Sequence, residues 1–161
     1  MSVTVWCIAT DAKFYEADDL SGEGAKHTGG RWNAPGDAFV YTSETQALAC
    51  LETVVHLNAG GLPLNRYLVS VTIPDSVWAK ARTGSPGSLP VGWDAEPSGR
   101  ASLQFGTTWI RSMASALLRV PSIIVPDEYN VLINPLHPDS RAITALKIRK
   151  FLYDPRLTKP A

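Results

Sequence analysis

The feature that most constrains this chain is an amphipathic helix followed within a few residues by a half-buried strand. Ser43 and Gln46 form an S-x-x-Q pattern, in which hydroxyl and carboxamide satisfy helix-opening N–H groups, and Gly60–Gly61 supply a stop. At about 100° per residue, Ala47, Leu48, Leu51, Val54 and Val55 gather on one stripe. Glu52 falls at the border of that stripe, and His56, four residues on, shares its side. Downstream, Tyr67, Val69, Val71 and Ile73 alternate with Leu68, Ser70 and Thr72 until Pro74 ends the run. A one-sided helix beside a one-sided strand requires a shared core.

The remaining segments fit that scheme. Val3 to Ile8 and Phe39 to Thr42 read as strands, as do Val131 to Ile133 and Ile148 to Tyr153. Arg119 to Val125 is apolar but interrupted by Pro121, which favours an edge or bulged strand. Thr108 is placed to cap a helix from Trp109 to about Leu117. Asp11 to Ala38 carries Gly22, Gly24, Gly29, Gly30, Pro35 and Gly36, and reads as loop with a short extended piece at Arg31–Trp32. Arg82 to Gly99 is a second long loop, and loops of that length inside a domain tend to be functional or mobile. No repeat, low-complexity tract or second-domain boundary interrupts the pattern. The expectation is one α+β domain over residues 1–161, with short mixed strands and two or three helices.

Composition narrows the partners. Fifteen basic and fifteen acidic residues cancel, so the summed field gives no reason to expect nucleic acid or an anionic membrane, although a local basic cleft is compatible with it. No apolar run approaches the ~20 residues of a membrane span, and Met1–Thr10 lacks the basic and long apolar regions of a signal peptide. Cys7 and Cys50 sit in apolar surroundings without C-x-x-C spacing, as small core residues would. A reducing, cytoplasmic setting is expected.

Familiar motifs are missing. Gly22-x-Gly24 is followed by His27 where a dinucleotide fingerprint needs its third glycine, and there is neither a P-loop nor a G-x-S-x-G elbow. His27, His56 and His137 are scattered, so no metal site is expected. What remains is a set of polar groups in apolar context. Arg31, in Gly29-Gly30-Arg31-Trp32-Asn33, reads as a fork for phosphate or as a surface Arg beside a core Trp. Tyr41 is a stacking platform or a core aromatic. Glu52 is a carboxylate that stabilises a cationic transition state, or the partner of His56. Ser122 points into a cleft or is a satisfied core serine, while Asn130 and Asn134 look like turn formers that could line a pocket.

Taken in order, these segments resemble the RES-domain family of bacterial toxins. The carrying residues are Gly29-Gly30-Arg31-Trp32-Asn33, Val40-Tyr41-Thr42-Ser43, Leu51-Glu52-Thr53-Val54-Val55-His56, Arg119-Val120-Pro121-Ser122, Asn134-Pro135-Leu136-His137-Pro138 and Phe151 through Leu157. The resemblance implies an ADP-ribosyltransferase-like fold and cleavage of the nicotinamide–ribose bond of NAD⁺, a substrate rather than a resident cofactor. It implies Glu52, Arg31 and Tyr41 as catalytic residues, with Arg31, Tyr41, Ser122, Trp32 and Asn33 on the substrate. The acceptor of ADP-ribose would be water, phosphate or a protein of nucleotide metabolism, and the partner an Xre-like helix-turn-helix antitoxin. A non-catalytic protein-binding module and a hydrolase using Glu52 and His56 as acid and base are the alternatives.

Overall fold

A computed structural model describes residues 1–57 and 61–158. In chain order the elements are β1 (Ser2–Thr10), α1 (Glu23–Thr28), β2 (Val40–Ser43), α2 (Gln46–Val54), β3 (Arg66–Pro74), α3 (Asp75–Trp78), β4 (Arg82–Thr83), α4 (Arg100–Ser112), β5 (Leu117–Pro121), β6 (Tyr129–Ile133) and β7 (Thr144–Lys150). The strands form one seven-stranded sheet in the order β4-β5-β6-β2-β1-β3-β7. Among the described residues only the β4–β5 pairing is parallel. The result is an α+β domain of the ADP-ribosyltransferase-like kind.

Alternation along the strands sorts the interior into two faces. Val69, Val71 and Ile73 of β3 meet Val5, Leu117, Val131 and Ile133 in an aliphatic core on one side. The opposite side holds two separate clusters. Trp32, Phe39, Trp93 and Trp109 pack with Leu118, Val120 and Leu132 over β5 and β6. Ile8, Ala49, Leu68 and Tyr153 pack over β1 and β3. The alternation puts Leu68 on the face opposite Val69, yet it is buried all the same because α2 and the C-terminal segment cover that end of β3. Between the two clusters the sheet is at its weakest: β1 and β2 pair only through Trp6 and Ser43. That split is where the cleft opens.

Several boundaries differ from the sequence reading. Thr45, not Ser43, caps α2, its Oγ1 accepting from the Leu48 amide at 3.0 Å, while Ser43 stays in β2. The helix ends at Val54; Gly60 lies outside the described residues. Its buried residues are Leu48 and Ala49, and Ala47 and Val55 face solvent, because so short a helix rests on the sheet through one small patch. Thr108 lies inside α4, which begins eight residues earlier at Arg100. Its buried face of Ser102, Gly106, Trp109 and Ile110 opens with small residues that hide the stripe. Residues 23–28 form α1 rather than loop, and Arg31–Trp32 is a bend. β4 covers β5 only at Leu118 and Arg119, so Pro121 falls where no neighbour needs its missing N–H. β7 starts at Thr144, four residues before Ile148; Leu146 and Ile148 on this edge strand are solvent-facing, which blurs the apolar cue.

Candidate active site

The cleft has a volume of about 1180 Å³ and is walled by β1, β2, α2, the turn around Arg31, the 94–98 segment and the 121–124 segment. Arg31, Trp32, Tyr41 and Glu52 all line it. Residues 60 positions or more apart are brought to one surface because β2 runs straight into α2 and β5–β6 lies alongside.

Glu52 projects from α2 and is half-buried. Its Oε1 accepts from Ser122 Oγ and from Asn130 Nδ2, each at 2.7 Å. Both donors are fixed in turn. Ser122 is 1% exposed, and its Oγ accepts from the amides of Ile124 at 3.0 Å and Val125 at 3.2 Å. Asn130 Oδ1 accepts from Ser43 Oγ at 2.7 Å. The carboxylate is thus held by side chains rooted in β2, β6 and the turn after β5. Among the described residues nothing hydrogen-bonds to Oε2, and no cation pairs with this carboxylate. His56 is exposed and forms no ion pair with Glu52, so the geometry gives no support to a Glu52–His56 couple.

Tyr41 presents its ring to the cleft and turns its hydroxyl into the wall. The hydroxyl donates to Asn33 Oδ1 at 2.5 Å and accepts from the Trp32 amide at 3.2 Å. Burial holds its pKa well above the ordinary tyrosine value, only partly offset by these hydrogen bonds and by nearby Arg31. A proton donor or acceptor role is therefore unsuited to it; the flat ring is what it offers. Gly30 makes this packing possible, since a Cβ there would lie 2.8 Å from the Tyr41 oxygen. Asn33 stands behind the wall. It is 1% exposed, and its Nδ2 donates to the carbonyls of Ala25, Ala34 and Asp37.

Arg31 is clamped at both ends. Its carbonyl accepts from Ser102 Oγ at 2.9 Å, and α4 presses so close at Gly106 that an added Cβ would meet the Trp32 carbonyl oxygen at 1.8 Å. Its Nη1 donates to the carbonyls of Trp93 at 3.1 Å and Ala95 at 2.8 Å, and Nη2 to Glu96 Oε2 at 3.0 Å. Trp93 in turn stacks on Trp32 with ring centres 6.3 Å apart. The long loop is thus a wall of the cleft, fastened through Leu89 and Trp93 in the aromatic cluster.

Sequence reasoning missed Asn130 as a carboxylate ligand and Glu96 as the partner of Arg31. The hairpin register, Val120 opposite Asn130, could have paired Asn130 with Ser122 two residues past Val120; no local signal marks Glu96. Asn134 is a turn former as expected, its Oδ1 accepting from the Leu136 amide, and His137 Nδ1 accepts from the Asp139 amide at the start of the next turn. Among the described residues no group of three His, Cys, Asp or Glu side chains could hold a metal, and both cysteines are free. No helix there is long and apolar enough to cross a membrane.

Comparison with known proteins adds a family to this geometry. A model described as RES domain matches residues 4–154. A protein of Sphingobium sp. (strain YBL2) named "Prs ADP-ribosylating toxin" is 63% identical over 161 residues, covering 100% of both chains. "Toxin Res" of Yersinia enterocolitica is 35% identical over 144 residues, 89% of this chain and 93% of that one. "Toxin Res" of Photorhabdus laumondii is 35% identical over 151 residues, covering 93% and 94%. With matches that span nearly its whole length, the chain belongs to the RES-domain family of toxins.

Proposed function

We propose that this toxin consumes NAD⁺ in the cleft, breaking the nicotinamide–ribose bond and transferring ADP-ribose to a protein. The observation that carries the reading is Glu52: a carboxylate fixed through one oxygen by Ser122 and Asn130, with the other left for a ligand, on the wall of a cleft that also holds Tyr41 and Arg31. The cleft volume of about 1180 Å³ is ample for a dinucleotide.

The chemistry follows from charge. As the C1–N bond breaks, its electron pair leaves with nicotinamide and the ribose turns oxocarbenium-like. A negative charge already oriented toward that carbon stabilises the cation without reorganising. Glu52 Oε2 is suited to this, or to accepting from a ribose hydroxyl. The Tyr41 ring gives the departing pyridine a flat surface, and Asn33 acts through Tyr41 by holding its hydroxyl. Arg31 offers positive charge to the diphosphate, beside Trp32. A nucleophile on the acceptor then bonds to C1 and loses its proton.

The name of the full-length relative, 63% identical, supports a protein acceptor over water or phosphate. The resemblance adds an Xre-like helix-turn-helix antitoxin whose C-terminal part blocks the cleft. The test is incubation with NAD⁺ labelled in the adenosine part and a bacterial lysate. A labelled protein band is expected; label only in free ADP-ribose or its phosphate would refute transfer to protein, and unconsumed NAD⁺ would refute the enzyme.

A further inference from the structure

We propose that Glu96 is a placeholder for a ligand phosphate, occupying the edge of Arg31 that a substrate anion takes over. The identity of that anion as the NAD⁺ diphosphate rests on the function proposed above; the exchange at Arg31 does not.

The guanidinium divides its donors between two kinds of partner. Nη1 goes to two main-chain carbonyls, those of Trp93 and Ala95. The Trp93 carbonyl belongs to a residue that is 8% exposed and packed in the aromatic cluster, so a ligand displaces it only by unseating that cluster, and the exposed Ala95 carbonyl follows two residues along the same loop. Nη2 goes to Glu96, whose side chain is 74% exposed against 16% for Arg31. An ion pair with so exposed a partner contributes little and is easily exchanged. Phosphate oxygens make the same charge-assisted hydrogen bond to a guanidinium, with more charge. Ser102 holds the Arg31 carbonyl, which fixes the backbone from which the guanidinium projects. The carboxylate is therefore the partner that yields. On the loop that walls the cleft Asp94 and Glu96 both carry negative charge, and of these two only Glu96 hydrogen-bonds to Arg31.

Competition for Arg31 and simple charge repulsion predict different results. Calorimetric titration with inorganic pyrophosphate should show Glu96→Gln binding three- to tenfold more tightly than the unaltered protein. Asp94→Asn, which removes a cleft charge without freeing Arg31, should give a smaller gain. In an Arg31→Lys background, Glu96→Gln should lose its advantage. With NAD⁺ as substrate, Glu96→Gln should lower KM by the same factor while kcat stays within twofold. Pyrophosphate binding no tighter in Glu96→Gln, or tightened equally by Asp94→Asn, would overturn the inference. Tighter pyrophosphate binding in a protein that leaves NAD⁺ intact would keep the exchange at Arg31 and discard the proposed function instead.

Discussion

On the cleft wall Glu52 is held by side chains that project from the sheet and the turn after β5, whereas Arg31 is held by the backbone of a loop. Asn130 reaches Glu52 from β6 and Ser122 from the turn just past β5, in a hairpin whose core residues are almost fully buried. Arg31 instead threads the carbonyls of Trp93 and Ala95 and ends on an exposed carboxylate. The difference suits two tasks. A group that stabilises a transient cation gains by being fixed before the reaction starts. A group that captures an incoming anion gains by having one exchangeable partner. Changes at Glu52 and its partners should therefore appear in kcat, and changes at Arg31 in KM.

The largest effect is expected from Glu52→Gln, which keeps the shape and removes the charge: nicotinamide release should fall by about 10²–10³, as when one electrostatic stabiliser is lost elsewhere. Next come Ser122→Ala and Asn130→Ala. Hydrogen bonds to a charged group are worth about 1.5–3 kcal/mol, so each should cost roughly tenfold to a hundredfold in kcat with little change in KM. Combined with Glu52→Gln they should add far less than their sum, which a double-mutant cycle reads directly. A loss confined to KM would erase the contrast between the two groups.

Arg31→Lys should act more mildly and on the other constant. Lysine keeps the charge but cannot bridge two carbonyls and an anion at once, so KM should rise roughly fivefold to tenfold. The smallest kinetic effect belongs to Tyr41→Phe. It leaves the ring in place and strands Asn33 Oδ1 and the Trp32 amide. Stability should drop by about 1–3 kcal/mol, lowering the melting temperature by roughly 2–4 °C per kcal/mol, with kcat changed by less than about threefold. A larger kinetic loss would mean that the phenol takes part in the chemistry.

How much was legible depended on whether a residue's partner was local. The β3 alternation was readable because Val69, Val71 and Ile73 face one aliphatic core. Glu52 stood out because a carboxylate at the edge of an apolar stripe needs a reason. The cap of α2 was misplaced by two residues, since Ser43, Thr45 and Gln46 offer overlapping start signals and only the turn after β2 decides between them. α4 begins nine residues before the expected Trp109 because Ser102 and Gly106 are small where they touch the Arg31 and Trp32 backbone, and small residues carry no stripe. Asn130 looked like a turn former because its partner lies 78 positions away. Glu96 meets Arg31 from 65 positions away, through a loop whose path is set by two buried side chains rather than by periodicity.

In the proposed mechanism the Glu52 charge acts on the ribose as it becomes cationic, not on the ground-state dinucleotide. NAD⁺ affinity of folded Glu52→Gln, measured by calorimetry beside its rate of nicotinamide release, tests this most directly. Affinity within about threefold of the unaltered protein, with release lost, is the predicted result. Release that persists, or affinity and release that vanish together, would contradict it.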